Sequence, residues 1–421
     1  MFRSLDRWPA AATLGLTFAA ALAPPAARAQ QPEERRVVAV RGYLSTPERA
    51  EYSPEVARRL RVPAGFRVTV WADGLANPRM FALGGDGTLY VTRRDSGDVL
   101  ALRDDGRGRA AAPRTVVRGL KDVHGIAVHG RTLYLATNTA LYAAAIGEDG
   151  AVAAPRALVT DLPDGGQHPN RTLAVGPDSM LYLTVGSSCN ACDESNDEHA
   201  TMLRMRPDGS GREVYAKGLR NTLGFAWHPA TGALWGMDHG SDWRGNTVPE
   251  EELNDIRRGA DYGWPWCWGD RRVDSATVAN PPGGADRAAH CRQTAGAALT
   301  YAAHAAPMQL AFYTAAPNAG TPFPAEYRGD AFVAMRGSWN REPPVGYEVA
   351  RVRFREGRPE RIEPFVSGFL EAGGRRYHGR PVGLVVAPDG ALLVGDDTNG
   401  AIYRVAWAGP AAPARRGAAG R

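Results

Sequence analysis

A paired-strand unit that returns at nearly constant spacing is the feature that most constrains the fold of this 421-residue chain. Each unit has a short apolar strand, a turn rich in glycine, aspartate or proline, and a second alternating strand. Aligned on Ala82, Ala127, Ala174 and Ala226, the units follow one another at steps of 45, 47 and 52 residues. Strand pairs that repeat at this period are typical of the four-stranded blades of a β-propeller.

Two further units bring the number to six. A weaker unit runs from Leu310-Ala-Phe312 to Asp330-Ala-Phe-Val333, and the last one contains Val385. The mature chain shows no helical apolar period of real length. We therefore predict an all-β fold, a six-bladed β-propeller over residues 63–405, with an insertion at roughly Asp242–Thr300. A β-sandwich or a β-helix is the rival fold, and the blade-length period favours the propeller.

The N-terminus has the pattern of a processing segment. Two arginines precede an apolar run at residues 10–23, and Ala27-Arg28-Ala29 offers a small-x-small cleavage site. We predict a signal peptide at residues 1–29, with an uncleaved membrane anchor as the alternative, followed by an extension at residues 30–62. An Ala/Gly/Pro-rich, disordered tail is expected at residues 406–421. Because no other segment is apolar enough to span a bilayer, we expect a periplasmic or secreted protein with no membrane span in its mature chain.

The chain has four cysteines, at positions 189, 192, 267 and 291. An even, small number suggests disulfides in an exported protein. Cys189–Cys192 and Cys267–Cys291 are the simplest of three connectivities. The Cys189-Asn-Ala-Cys192 motif could also be redox-active or bind a metal, but a structural bridge is favoured because no other cysteine lies close to it in sequence.

Two classes of partner are not expected. The chain has 50 basic and 45 acidic residues, giving a net charge of +5, and no basic cluster long enough to indicate nucleic-acid binding. A Gly-rich dinucleotide fingerprint between a strand and a helix is also absent, which argues against a nicotinamide cofactor.

Polar side chains stand just before the inner strand of four repeats, at His124, His168, Arg220-Asn221 and Arg380. Each one alone is better explained as a cap of a turn or as a partner across blades. Because the loops of a closed ring of blades converge on the mouth of its channel, we expect the four to form one site. Arginines there suit a ligand that carries several carboxylates, and a histidine can act as a general base near neutral pH.

A second candidate feature is Asp238-His-Gly-Ser-Asp242, which is followed by the acidic run Glu250-Glu-Glu252. Carbonyl oxygens of a Gly-containing turn beside carboxylates suit calcium, which prefers oxygen ligands. A solvated acidic loop is the alternative interpretation of the run.

Several segments of the chain carry a family resemblance when taken together and in order. They are His168 with Arg171-Thr-Leu-Ala-Val-Gly-Pro-Asp178 and Leu181-Tyr-Leu-Thr-Val-Gly186, Gly218-Leu-Arg-Asn-Thr-Leu-Gly-Phe-Ala226, Glu252-Leu-Asn254 with Gly259-Ala-Asp-Tyr-Gly-Trp-Pro265, Met335-Arg-Gly337, and Arg380 before Val385-Val-Ala-Pro-Asp-Gly390. From roughly Pro63 to Val405 the chain resembles the soluble pyrroloquinoline-quinone (PQQ) glucose and sorbosone dehydrogenases.

The resemblance implies a set of cofactor-binding residues. Arg336 and Arg380 would meet the carboxylates of PQQ, and Arg220 with Asn221 would face its reactive carbonyls. His124 would line the quinone or substrate pocket.

The resemblance also implies a reaction. A sugar or a sugar-derived aldehyde would be oxidised with hydride transfer to a quinone polarised by calcium, and His168 would be the catalytic base. The metal would lie at Gly240, Ser241 and Asp242, held partly by backbone carbonyls. An external electron acceptor, a cytochrome or a quinone, would complete the cycle.

Three positions depart from the family pattern. Ser187 stands where the glucose enzymes have a carboxylate, Val382 where a second arginine is expected, and Arg336 where the family has lysine. A non-catalytic carbohydrate-binding propeller is therefore one alternative function. A calcium-dependent lactonase-type hydrolase is another, although it would need carboxylates at the blade positions that arginine and histidine occupy.

Overall fold

Six antiparallel sheets of four strands form the core of the computed structural model, which describes residues 44–277 and 280–410. The prediction of an all-β, six-bladed propeller is confirmed. The predicted signal peptide at residues 1–29 lies outside the described residues, as do residues 411–421 of the predicted tail. No helix in the described part of the chain is both long and apolar enough to cross a membrane.

The strands are numbered in chain order. The first fourteen are β1 (Glu48–Arg49), β2 (Phe66–Ala72), β3 (Pro78–Leu83), β4 (Leu89–Arg93), β5 (Asp98–Leu102), β6 (Arg114–Val117), β7 (Gly125–His129), β8 (Thr132–Ala136), β9 (Leu141–Ala145), β10 (Arg156–Val159), β11 (Thr172–Val175), β12 (Leu181–Val185), β13 (Thr201–Met205) and β14 (Glu213–Lys217). The other fourteen are β15 (Thr222–Trp227), β16 (Leu234–Asp238), β17 (Glu251–Asp255), β18 (Cys267–Trp268), β19 (Arg272–Val273), β20 (Leu299–Tyr301), β21 (Pro307–Phe312), β22 (Ala331–Met335), β23 (Glu348–Arg355), β24 (Arg358–Val366), β25 (Arg376–Tyr377), β26 (Pro381–Val386), β27 (Leu392–Asp396) and β28 (Ala401–Trp407). The described helices are α1 (Val56–Arg59), α2 (Arg287–Cys291) and two single 3₁₀ turns, Pro282–Gly284 and Ala325–Tyr327.

The six blades follow the order of the chain. Blades 1 to 3 use the consecutive strands β3–β6, β7–β10 and β11–β14. Blade 4 combines β15, β16, β17 and β20, blade 5 uses β21–β24, and blade 6 combines β26, β27, β28 and β2. The first strands of successive blades contact one another around the ring, and the ring closes between β26 and β3.

Ring closure joins the beginning of the propeller to its end. Strand β2 pairs antiparallel with β28, so that Phe66 lies opposite Trp407. The Phe66 ring makes edge contacts with the rings of Trp407, Phe323 and Phe365 at 5.0, 4.6 and 5.1 Å. Such aromatic pairs add roughly 0.5–1.5 kcal/mol each beyond their area burial. The closing strand therefore extends to Trp407, two residues past the predicted boundary.

The hydrophobic core is divided between neighbouring blades. In the contact between blades 1 and 2, Tyr90 packs with Ile126 and Leu133. The three residues are 1%, 5% and 0% exposed, in that order. Because each sheet is covered on both faces by its neighbours, the middle strands are buried almost continuously rather than at every second residue. Full burial of one such side chain contributes roughly 1.5–3 kcal/mol.

Four of the six inner strands are irregular at their beginnings. In blades 1, 4, 5 and 6 the register between the first and second strands shifts near the cavity end, whereas blades 2 and 3 pair regularly. A bulge of this kind re-aims the side chains around it. Gln309 of β21 satisfies backbone groups beside two of the bulges: its Oε1 accepts from Phe81 N and Leu384 N at 2.9 and 3.1 Å, and its Nε2 donates to Phe81 O at 2.8 Å.

The predicted insertion contains two strands of blade 4. Strand β17 pairs with β16, and β20 pairs with β17. The interpretation of the acidic run as a solvated loop is wrong, because Glu251 and Glu252 lie in β17 and are 2% and 8% exposed. Burial raises the pKa of both carboxyls to about 8. Glu251 accepts hydrogen bonds from the backbone N–H groups of Gly240 and Ala306, each at 2.9 Å.

Candidate functional site

A cavity of about 370 Å³ opens where the loops before the inner strands converge. This volume lies within the range of small-molecule sites, roughly 300–1,000 Å³. Seven of the predicted site residues line it, namely His168, Arg220, Asn221, Gly240, Asp242, Arg336 and Arg380. The other lining residues used below are Arg79, Glu251 and Asn340. We call His168, Arg220 and Asn221 the histidine side of the cavity, and Arg79, Arg336 and Arg380 its arginine side.

His168 has one ring nitrogen fixed and the other left for chemistry. Its Nδ1 lies 2.8 Å from Ser187 Oγ and 3.1 Å from Ser187 O. The carbonyl can only accept, and the Ser187 hydroxyl already donates to Cys189 O at 2.7 Å. We therefore assign the proton of the neutral ring to Nδ1, which leaves the lone pair on Nε2.

The environment keeps the His168 ring neutral. Burial, together with the nearby positive charge of Arg220, lowers the pKa of His168 to about 2. The departure at Ser187 does not leave the ring unsupported, because the serine supplies two acceptors to Nδ1. It supplies them without a negative charge, so the hydrogen bond to the Ser187 carbonyl, which acts to raise the pKa of the ring, is outweighed by burial and by Arg220.

Gly186 allows the two parts of the histidine side to approach closely. A Cβ atom at this position would lie 2.6 Å from His168 Cβ and 3.0 Å from Asn221 Oδ1. Real Cβ contacts are essentially never shorter than 3.0 Å, so a side chain here would push His168 away from the strand end. The glycine is thus required by packing.

One buried carboxylate fixes the backbone of the Arg220-Asn221 turn. Asp238, the last residue of β16, accepts from Arg220 N, Asn221 N and Thr222 Oγ1, each at 2.8 Å. Burial nevertheless raises the pKa of Asp238 to about 6. The Arg220 guanidinium is paired with Asp242 Oδ2 at 2.9 Å. Both the backbone and the charged end of Arg220 are therefore held before any ligand arrives.

One buried carboxylate anchors most of the arginine side. Asp397 contacts Arg79 and accepts from Arg336 Nε at 2.9 Å. Burial acts to raise the pKa of Asp397, but the charges of Arg336 and Arg79 outweigh it and hold the pKa below its ordinary value. Arg380 instead donates to the carbonyls of Arg336 and Gly337. Two of the three guanidinium groups thus contact Asp397, and because one carboxylate balances three positive charges this side keeps a net positive charge.

The charge is partly desolvated. Burial, followed by repulsion from Arg336, lowers the pKa of Arg380 to about 10. The aromatic rings of Tyr347 and Tyr377 lie 5.4 and 5.9 Å from the Arg380 guanidinium carbon. Arginines in such surroundings bind carboxylates more strongly than exposed ones because water competes less.

His124 does not line the cavity. It is fully buried, its Nδ1 lies 3.0 Å from Arg171 O, and its Nε2 lies 3.5 Å from Arg79 Nη2. Burial lowers the pKa of His124 to about 3. The ring therefore stands between Arg79 and the carbonyl of Arg171, and links blade 1 to the start of blade 3.

The segment predicted to hold calcium is divided. Gly240 and Asp242 line the cavity, whereas Ser241 is buried and 4% exposed. The Asp242 carboxylate is engaged by Arg220 and by Asn340 Nδ2 at 2.9 Å. Among the described residues, the single group of three or more His, Cys, Asp or Glu side chains with mutually close ligand atoms is Cys189, Cys192 and Glu194. A cation at Gly240–Asp242 would accordingly depend on backbone carbonyls and on oxygens of a ligand.

Sequence reasoning missed Arg79 and Asp397. A signal for Arg79 was present: it stands three residues before Ala82, as His124 stands three residues before Ala127. Asp397 offered no local signal, since its partner Arg79 lies 318 residues away along the chain.

Comparison with known proteins agrees with this geometry. A family model described as TrAA12-like matches residues 60–408. The pyrroloquinoline quinone-dependent pyranose dehydrogenase of Coprinopsis cinerea is 25% identical over 420 residues, which cover 83% of this chain and 55% of that enzyme. An uncharacterised protein of Borreliella burgdorferi is 26% identical over 369 residues, which cover 83% of this chain and 92% of that protein.

Solved structures show the same fold. The holo form of the pyranose dehydrogenase PQQ domain from Coprinopsis cinerea matches with a TM-score of 0.69 and 22% identity, and the calcium structure of the Trichoderma reesei family AA12 enzyme with 0.71 and 21%. Each match covers 86% of this chain and 100% of the other. The family match over most of the sequence confirms the resemblance to the PQQ-dependent sugar dehydrogenases, and the chain belongs to the TrAA12-like family.

Proposed function

We propose that this chain is a PQQ-dependent dehydrogenase that oxidises a sugar or a sugar-derived aldehyde, with calcium as its second cofactor. The observation that carries the proposal is the cavity itself, in which a neutral histidine faces an excess of guanidinium groups. A general base and a cradle for a polycarboxylate are the two parts that such an oxidation needs. The names of the relatives point to the same chemistry.

The arginine side fits a ligand with several carboxylates. Arg336 and Arg380 would bind the carboxylates of PQQ, and Arg79, which the sequence did not indicate, would add a third positive charge. The replacement of the family lysine by Arg336 keeps the charge and offers a planar fork to a carboxylate. Val382 is fully buried and supplies no charge, so Arg79 is the better candidate for the missing second arginine.

The calcium proposal depends on oxygen atoms of the Gly240–Asp242 segment. We place the cation on the carbonyls of Gly240 and Ser241, with the Asp242 carboxylate beside them as negative charge. Glu251 is a further buried carboxylate on the cavity wall, next to Gly240 N. This donor set is made of oxygens alone, which is the chemistry that calcium prefers.

The histidine side would remove the proton. Oxidation takes a proton from a hydroxyl of the sugar, or of the hydrated aldehyde, and a hydride from the carbon that bears this hydroxyl. PQQ, when bound, supplies the quinone carbonyl that accepts the hydride. His168 Nε2 takes the proton, because Nδ1 is committed to Ser187. Arg220 and Asn221, fixed by Asp238, present N–H donors to negative charge that develops in the cavity. His124 supports Arg79 from behind.

The setting of the reaction is also a proposal. Two disulfides, Cys189–Cys192 and Cys267–Cys291, are present and no free cysteine remains, which confirms the predicted pairing. Disulfides persist in oxidising compartments, so they support a periplasmic or secreted enzyme. Electrons would leave to an external acceptor, a cytochrome or a quinone.

A binding titration tests the proposal. PQQ is added to the purified cofactor-free protein with and without Ca²⁺, and the absorption band of the bound quinone is followed. We expect saturable binding that strengthens with Ca²⁺. Absence of any bound-quinone band at high PQQ and Ca²⁺ would favour the non-catalytic carbohydrate-binding alternative.

A further inference from the structure

The short loop closed by the Cys189–Cys192 disulfide contacts Arg220 on the histidine side of the cavity. Asn190 lies within it and contacts Arg220 twice: its carbonyl oxygen accepts from Arg220 Nε at 2.9 Å, and its Oδ1 accepts from Arg220 Nη2 at 2.8 Å. Hydrogen bonds to a charged donor are about twice as strong as neutral ones. The loop thus fixes the direction of the Arg220 guanidinium.

The same side chain also holds the neighbouring turn. Asn190 Oδ1 accepts from Asp242 N at 2.7 Å, and Asn190 Nδ2 donates to Asp242 O at 2.9 Å. One amide therefore binds both backbone groups of Asp242 while it binds Arg220. Only a side chain with an acceptor and a donor on one planar group can make this set of contacts.

A third contact links the loop to His168. Cys189 O accepts from Ser187 Oγ, and that hydroxyl lies 2.8 Å from His168 Nδ1. Three proposed functional positions, His168, Arg220 and Asp242, thus depend on one four-residue loop whose ends are tied by a covalent bond.

The second disulfide offers a matched comparison. Cys267 and Cys291 are 5% and 1% exposed and pack with Trp266, and neither lines the cavity. This bridge spans 24 residues, whereas the Cys189–Cys192 bridge spans 3. Because the entropy that a crosslink removes from the unfolded chain grows with loop length, the longer bridge has the larger part in stability.

We propose that Asn190 is a positioning residue for the cofactor site and that the Cys189–Cys192 bridge exists to hold it there. The inference rests on the proposed function, since the arrangement it protects is that of Arg220, Asp242 and His168 around PQQ. The two disulfides then have different roles: Cys189–Cys192 orders the site, and Cys267–Cys291 stabilises the fold.

The experiment compares Asn190→Ala, Cys189→Ser/Cys192→Ser and Cys267→Ser/Cys291→Ser with the full-length wild-type protein, all purified without PQQ. PQQ affinity is measured by titration with Ca²⁺ present, and the unfolding temperature is measured without PQQ. We expect about tenfold to a hundredfold weaker PQQ binding for the first two variants at nearly unchanged unfolding temperature. The third should unfold at lower temperature and bind PQQ as the wild type does.

A second readout needs no cofactor. The titration of the His168 ring is followed by NMR in cofactor-free protein, where release of Arg220 in Asn190→Ala should raise the pKa of His168 and the Cys267→Ser/Cys291→Ser variant should leave it unchanged. Wild-type affinity and an unshifted His168 in Asn190→Ala would overturn the inference. Equal losses of PQQ affinity in both disulfide variants would overturn the assignment of different roles to the two disulfides. A wild type that fails to bind PQQ would instead contradict the proposed function, and the NMR result would still decide the role of Asn190.

Discussion

The two sides of the cavity are held in place by different kinds of group. On the arginine side a single ionised carboxylate, Asp397, is shared by Arg79 and Arg336. On the histidine side the base itself is held by neutral atoms of Ser187, and the one ion pair, Arg220 with Asp242, lies beside it. One side is thus organised by charge and the other by hydrogen-bond direction.

The difference follows from what each side has to do. A binding site for carboxylates must hold positive charge in partly buried surroundings. The buried Asp397 stabilises the guanidinium groups of the arginine side, and because it balances only part of their charge, positive charge remains for the ligand. A base must stay neutral and keep one lone pair free, and a neutral partner fixes the ring without protonating it. Substitutions on the histidine side and on the arginine side should therefore have different effects.

Removal of the base gives the largest expected effect. In His168→Gln the amide cannot accept and carry a proton, so sugar-dependent dye reduction should fall by about 10²–10⁴-fold while PQQ stays bound. Steady-state dye reduction with the best aldose or aldehyde substrate is the measurement. His129→Gln, an exposed histidine away from the cavity, is the control and should retain full activity. Normal turnover in His168→Gln would remove the histidine from this role.

Removal of Asp397, the carboxylate that Arg79 and Arg336 share on the arginine side, should lower the stability of the fold. Asp397→Asn leaves the buried Arg79 and the half-buried Arg336 without a counterion, which should cost about 3–5 kcal/mol of unfolding free energy at pH 7. Because the pKa of Asp397 is held below its ordinary value, the stabilisation is present above the unfolded-state pKa and is lost as pH falls through the folded-state pKa. Urea unfolding at pH 7 and at pH 3 measures the difference in unfolding free energy between the wild type and Asp397→Asn. This difference should be smaller at pH 3 than at pH 7. A difference that does not change with pH would show that the charge of Asp397 is not what stabilises the arginine side.

Loss of one arginine should weaken the cofactor and spare the fold. In Arg380→Ala a ligand carboxylate loses its partner, at a cost of about 2–5 kcal/mol in binding free energy. PQQ titration should show the loss, and the exposed Arg328→Ala should bind like the wild type. If Arg380→Ala kept its affinity, the arginine side would not be the cradle.

The smallest effect is expected at the neutral support of the base. Ser187→Ala removes one of the two acceptors of His168 Nδ1 and leaves the carbonyl, so kcat should fall by about fivefold, the worth of one neutral hydrogen bond. Ser187→Asp should raise the pKa of His168, because it adds the carboxylate that the histidine side lacks. An NMR titration of the ring in both variants tests this, and an unmoved pKa in Ser187→Asp would mean that position 187 does not control the ring.

The fold was predictable because it repeats. Four units at blade-length spacing, marked by the alanines at 82, 127, 174 and 226, and two further units leave few architectures. The acidic run at 250–252 was not recognisable as a strand, because its carboxylates are satisfied by backbone groups of Gly240, Ala306 and Gly269 that only the folded chain brings near.

The site was predictable only in part, because equivalent sequence positions do not all point into the cavity. Bulges at the beginnings of four inner strands re-aim the side chains there, so a shared sequence position does not give a shared direction. Arg79 in the bulged blade 1 and His124 in the regular blade 2 each stand three residues before their alanine, yet Arg79 lines the cavity and His124 does not. The partners of the site residues, Asn190 and Asp397, come from other segments and had no pattern to mark them.

The central claim is that the cavity oxidises a sugar with His168 as base, and anaerobic reduction of bound PQQ tests it most directly. PQQ-loaded, Ca²⁺-containing protein is mixed with an aldose or aldehyde in the absence of any acceptor, and the quinone absorption band is followed in time. The account predicts that the band is lost in the wild type and that the loss is slowed about 10²–10⁴-fold in His168→Gln. A quinone that is bound but unchanged by every sugar and aldehyde offered, or one that is reduced equally fast in the variant, would contradict it.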